Sequence, residues 1–261
     1  MNETLPVGMP DFSEVLRRHG VAPPVLTAGT LPAEFATRAT TILAFKFRGG
    51  VLVAGDRRAT AGNLVVYDRA DKVLEIDRHS LMAIAGVPAT AWEMARMLEH
   101  SFQFYRRSQL QELSMEGKVR ALSRLLRDNL GMAIQGVGIV VPLFAAYDVE
   151  AAVPRLYFYD VMGAQFEVAD FAASGSGSPS VRAVLQYANA YGSPLEKLDE
   201  EGATLLALRA LDTAAQNDTA TGGVDRHGQV YPIIKIVSNR CINTLGDDLL
   251  AKAYQRDLKI L

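Results

Sequence analysis

Residues 40–63 read TTILAFKFRGGVLVAGDRRATAGN, and the first sixteen of them set the pattern for the fold. Ile42, Ala44 and Lys46 alternate with Thr41, Leu43, Phe45 and Phe47, a period of two that describes a strand with one face in each of two environments. Arg48 to Gly50 supplies a tight turn, and VLVAGD then returns as a second strand.

Residues 1–39 differ from this. Pro6, Pro10, Pro23, Pro24 and Pro32 interrupt every candidate element, and only Phe12 to Arg18 has the pattern of a short helix, so the segment reads as an extension to the core. On the C-terminal side, short apolar runs at Leu64 to Tyr67, Lys72 to Ile76 and Leu81 to Ala85 predict an antiparallel meander. Helical stripes follow over Ala89 to Tyr105 and Met115 to Gln135. Strands return at Ile139 to Val149, Arg155 to Asp160, Gln165 to Val168 and Phe171 to Ser174. Helices over Ser178 to Tyr191 and Asp199 to Gln216, a strand over Val230 to Val237 and a helix over Gly246 to Arg256 complete the chain. Strands, helices, strands and helices in that order predict two antiparallel sheets packed face to face with helices outside both.

The bulk properties narrow the function. The chain has 261 residues, 49% hydrophobic and 21% charged, enough for one sizeable core. Its 27 basic and 29 acidic residues are mixed along the sequence, which argues against nucleic acid and membrane surfaces as partners. Cys241 is the only cysteine, so no intrachain disulfide can form, and the thiol fits a reducing compartment. The N-terminus lacks the basic start and apolar run of a secretory signal, and no stretch is long enough to span a bilayer; a cytoplasmic location is expected.

Familiar catalytic signatures are missing. There is no G-x-S-x-G elbow, no H-E-x-x-H and no P-loop, and His19, His79, His100 and His227 lack metal-ligand spacing, so no metal or cofactor is expected. The Gly/Ser stretch Ser174 to Ser180 has no P-loop lysine and reads as a strand-to-helix turn. What remains is Thr40. A threonine hydroxyl is a weak nucleophile until a base takes its proton, and the α-amine of that same threonine can serve once it is the first residue of the chain. A nearby cation favours the neutral, basic form of that amine.

The stretch from Thr40 to Asn63 resembles the start of a mature proteasome β subunit, most closely of the actinobacterial type. The resemblance runs to about Val237. It implies Thr40 as nucleophile, Asp56 as the family's aspartate, Lys72 in RADKV as the catalytic lysine and the Gly86 amide in AIAGV as oxyanion donor. It also implies accessory roles around the threonine amine for Ser176 in GSGS and for Asp218 and Thr221 in NDTATGG, with threonine at 221 in place of the usual serine. Residues 1–39 become a propeptide cut between Ala39 and Thr40, and residues 40–261 a peptidase domain with the αββα sandwich of N-terminal nucleophile hydrolases. Ala59, Thr60, Ala70, Leu74, Ile84 and Pro88 fall where substrate binds, and the small and apolar ones imply cleavage after hydrophobic residues. The implied partners are α-type subunits, further β subunits in a heptameric ring, a regulatory ATPase ring and unfolded protein substrates. The stripe of Met94, Met97, Leu98, Phe102 and Phe104 offers subunit contacts or core packing.

Two departures from the family pattern stand out. Ala39 occupies the position ordinarily held by glycine, whose free backbone eases the strained geometry of self-cleavage. Pro88 stands where an amide ordinarily pairs with extended substrate, and proline has none. They keep one alternative open, an unprocessed, catalytically silent ring subunit; a second rests on the fold alone, a simpler bacterial threonine peptidase ring working without α subunits or an amidase on small amides.

Overall fold

The computed structural model describes residues 40–61, 64–224 and 230–257. The expected propeptide, its Phe12 to Arg18 helix and Ala39 lie outside the described residues. Strand β1 (Thr41–Phe47) turns through Arg48 and Gly49 into β2 (Gly50–Gly55). The hairpin turns back on Gly50, whose φ of +139° is open to glycine alone: a Cβ there would lie 2.2 Å from the Val237 carbonyl oxygen.

Three groups of strands form. The first sheet has the order β10 (Phe171–Gly175), β1, β2, β11 (Ile233–Val237), β12 (Ile242–Thr244), and every pairing in it is antiparallel. The second runs β5 (Val73–Asp77), β6 (Ser80–Ala83), β7 (Leu143–Asp148), β8 (Val153–Tyr159), β9 (Gln165–Glu167), also antiparallel. A separate hairpin joins β3 (Ala59–Ala61) to β4 (Leu64–Tyr67). The meander expected for the first third is therefore corrected: its strands divide among three sheets. Local alternation marks a strand but carries no information on which neighbour its edge will meet.

Six helices are described: α1 (Pro88–Gln109), α2 (Met115–Asp128), α3 (Leu130–Ile134), α4 (Ser178–Tyr191), α5 (Glu200–Asn217) and α6 (Asp247–Asp257). The period of two along β1 sorts its side chains into two interiors. Leu43 and Phe45 join a cluster with Leu185 of α4, Leu208 and Leu211 of α5 and Leu250 of α6. Ile42 and Ala44 point the other way, into a layer shared with Val73, Leu81, Leu143 and Leu156 of the second sheet. A third cluster packs Met82 and Phe144 of that sheet against Leu98 and Phe102 of α1 and Leu122 and Leu126 of α2. Helix, sheet, sheet, helix is the αββα sandwich that the order of elements predicted.

Several boundaries move for identifiable reasons. The long helix expected over Met115 to Gln135 divides at Asn129, whose Nδ2 donates to the Gly138 carbonyl at 2.5 Å and turns the chain. The strand expected from Ile139 begins only at Leu143: Val140 makes an isolated bridge to Gly86, and Pro142 cannot donate to a ladder. Pro232 delays β11 to Ile233 in the same way. Strands β3 and β12, three residues each, were not expected. Met94, Leu98 and Phe102 are core residues, so of the stripe offered for subunit contact only Phe104 is substantially exposed, at 40%.

Candidate active site

Antiparallel pairing gathers distant residues at one end of the sandwich. β1 begins there and β2 ends there, with Ile42 opposite Gly55; β10 also ends there, with Gly175 opposite Thr41. Thr40 precedes β1, Asp56 follows β2, Lys72 precedes β5, Gly86 lies beyond β6, and Ser176 follows β10. Asp218 is the C-terminal cap of α5, and Thr221 lies three residues further on.

Asp56 is fully buried and its two oxygens are both engaged. Oδ1 accepts from Lys72 Nζ at 2.7 Å and from the Thr41 amide at 2.8 Å. Oδ2 accepts from the amides of Arg58 and Gly222, each at 2.9 Å. An ionised carboxylate without solvent is stable only where donors replace water, and four do so here. Lys72 is 3% exposed and donates also to the Arg58 carbonyl at 2.6 Å. Burial lowers its pKa from the ordinary lysine value; the charge of Asp56 and the hydrogen bond to it work in the opposite direction.

Thr40 is itself buried, and its carbonyl accepts from the Ser176 amide at 3.0 Å. Gly175 makes this possible: its φ is +94°, and a Cβ there would lie 1.7 Å from the Thr40 oxygen. Extending the alternation of β1 by one residue puts Thr40 on the face of Ile42, and Lys72 stands on that face too. A Cβ at Gly55 would touch both, at 3.2 Å from Ile42 Cγ2 and 3.3 Å from Lys72 Cβ.

Gly86 adopts φ +119°, with the Ile139 oxygen only 2.0 Å from where a Cβ would stand. The bonds closing its bridge to Val140 come from the amides of Val87 and Val141, at 2.8 Å each, and not from Gly86. On the other side of β1, Asp218 Oδ2 accepts from Ser176 Oγ at 2.6 Å and Thr221 Oγ1 at 2.5 Å. Partial burial alone would raise the Asp218 pKa, but those two hydroxyls, the Ala220 amide and the charge of Arg58 together hold it below the ordinary carboxylate value.

The residues expected to meet substrate have mixed fates. Ala59 and Thr60 form β3, and Thr60 and Ala70 are buried. Ile84 belongs to the core cluster beneath α1, and Leu74 packs on that same cluster. Pro88 opens α1 at its first turn, a place where an amide would have no helical partner, so the helix loses nothing by it.

Sequence reasoning passed over Thr41, Arg58 and Gly222. Arg58 Nη1 donates to the carbonyls of Thr219 at 2.9 Å and Thr221 at 3.3 Å, which fastens the loop after α5 to the end of β2. The repeated arginine in GDRR was the available signal, but an arginine after a strand is usually solvated. Among the described residues no group of histidine, cysteine and carboxylate side chains could hold a metal ion.

A family model described as proteasome subunit matches residues 36–228. The proteasome subunit beta of Acidimicrobium ferrooxidans is 38% identical over 239 residues, covering 91% of this chain and 85% of that protein. The proteasome subunit beta 2 of Thermomonospora curvata is 39% identical over 241 residues, 90% of this chain and 83% of the relative. That of Acidothermus cellulolyticus is 39% identical over 235 residues, 88% and 79% respectively.

Proposed function

Because the chain belongs to the proteasome family and is one of its β subunits, we propose that it is a threonine endopeptidase, the peptide-cleaving subunit of a bacterial proteasome core. The observation that carries the reading is the buried Lys72–Asp56 pair, held at 2.7 Å beside the start of β1, where Thr40 stands. A solvated ion pair would contribute little and need no such enclosure. Here burial of two charges is offset by donors aimed at one carboxylate, an arrangement suited to holding a cation near a nucleophile.

In this reading, removal of residues 1–39 converts the Thr40 amide nitrogen into an α-amine. The amine takes the Thr40 hydroxyl proton, directly or through one water, as Oγ attacks the substrate carbonyl. Lys72 keeps the amine neutral and basic by its charge. The Gly86 amide donates to the oxyanion, a contribution worth about 3 kcal/mol in such sites. The amine then returns its proton to the leaving peptide nitrogen, and water, deprotonated by the same amine, hydrolyses the ester to regenerate Thr40. Ala59 and Ala70, with Leu74 and Ile84, supply the small and apolar side chains of the specificity pocket, in keeping with cleavage after hydrophobic residues, and Thr60 serves the pairing with extended substrate. The subunit works in a cytoplasmic particle with α-type subunits, other β subunits in a heptameric ring and an ATPase ring that delivers unfolded protein.

The competing reading, an unprocessed structural subunit, draws on Ala39 at the cleavage position and on Pro88 where an amide would pair with substrate. Intact mass and N-terminal sequencing after assembly with the α partner separate the two. A wild-type chain beginning at Thr40, with Thr40→Ala retaining residues 1–39, supports self-processing and the nucleophile together. A full-length wild-type chain in a well-formed ring overturns the peptidase reading.

A further inference from the structure

Thr41 is fully buried; its amide meets the carboxylate of Asp56, and its hydroxyl meets Thr221, which in turn meets the carboxylate of Asp218. The amide donates to Asp56 Oδ1 at 2.8 Å, the oxygen that also holds Lys72. Strand alternation turns the side chain to the opposite face from Ile42, toward α4 and α5. There Oγ1 accepts from the Gly177 amide at 3.0 Å and lies 2.5 Å from Thr221 Oγ1.

The direction of that last bond can be deduced. An ionised carboxylate only accepts, so the single Thr221 hydroxyl proton is committed to Asp218 Oδ2 at 2.5 Å. Thr41 must therefore donate to Thr221. The result is a chain of one polarity, from the Gly177 amide through the hydroxyls of Thr41 and Thr221 to Asp218, which Ser176 Oγ also meets at 2.6 Å. Successive bonds of one polarity strengthen each other where water is excluded, as it is at Thr41 and Thr221, while the Asp218 end is partly solvated. Gly177 leaves room for it: a Cβ there would lie 2.5 Å from Thr221 Oγ1 and 2.6 Å from Thr41 Oγ1.

We propose that Thr41 is a positioning residue of the peptidase site, the side chain and amide through which the Asp56–Lys72 pair and the Ser176–Asp218–Thr221 group are held in one frame next to Thr40. The proposal rests on the peptidase reading and deepens it. Threonine suits the role because its β-branch restricts the hydroxyl to few orientations, whereas serine retains the hydrogen bonds with more rotational freedom.

The test compares Thr41→Val, Thr41→Ser and wild type in particles assembled with α subunits, by steady-state hydrolysis of a short fluorogenic peptide and by amide hydrogen exchange over residues 175–181 and 218–223. Thr41→Val is expected to lower kcat about tenfold with KM within about twofold, as for loss of one hydrogen bond to a charged network, and to speed exchange in both segments. Thr41→Ser is expected to recover most of both. Wild-type kcat or unchanged exchange in Thr41→Val, or a serine variant no better than valine, overturns the proposal. Absence of hydrolysis by the wild-type particle overturns the peptidase reading instead, and with it the role of Thr41 in catalysis; the exchange data then decide whether Thr41 still joins the two groups.

Discussion

Lys72 Nζ and Asp56 Oδ1 lie 2.7 Å apart with almost no solvent on either side chain, across 16 residues of sequence that include the β3–β4 hairpin. Removing one partner strands the other. Asp56→Asn leaves a buried ammonium without its counter-charge and is expected to destabilise the subunit by about 3–5 kcal/mol, measured by urea unfolding of the full chain. Because both contributions of Asp56 raise the Lys72 pKa against the lowering effect of burial, the same change drives Lys72 further toward the neutral amine.

Gly175→Ala sets two requirements against each other at the start of β1. The residue must hold φ +94°, and its new methyl would stand 1.7 Å from the Thr40 carbonyl oxygen. The carbonyl must move, taking Thr40 with it. A lower melting temperature and loss of cleavage before Thr40, read by intact mass, are expected; a variant that melts and matures like wild type would show that the chain end tolerates displacement.

Asp218 predicts a pH effect of definite sign. Its folded pKa lies below the ordinary value of 3.8, so the folded state favours the carboxylate. The stability it contributes is present above that value and is lost as pH falls through the folded pKa. Asp218→Asn, followed by thermal melting from pH 7 downward, is expected to narrow the difference from wild type in the acid range. The group is only partly buried, so the difference is small.

Tyr159 offers a stability probe remote from the site. It is fully buried in the cluster under α1 and α2, and its hydroxyl donates to the Val119 carbonyl of α2 at 2.9 Å. Burial raises its pKa above the ordinary tyrosine value. Tyr159→Phe is expected to cost about 1 kcal/mol in urea unfolding and to leave peptide hydrolysis unchanged.

The strand-turn-strand of residues 41–55 was legible because two short apolar runs rich in strand-forming residues flank the Arg48–Gly50 stretch, whose glycines mark a reversal. The break at Asn129 was not, because the apolar stripe continues through it and the cause is a hydrogen bond to Gly138, nine residues away. Thr41 was visible as a strand residue and nothing more. Its partner Thr221 is 180 residues distant, and no local pattern connects them.

By itself the sequence determined the type of the longer elements and the apolar character of both faces of β1. These follow from backbone sterics and from the transfer of side chains out of water, which act over a few residues at a time. Only the tertiary structure decided that β1 would lie between β2 and β10, that Lys72 would reach Asp56, and that Thr41 would join Asp56 to the Thr221–Asp218 pair. Those contacts depend on sheet order and register, which are chosen by packing the whole chain at once.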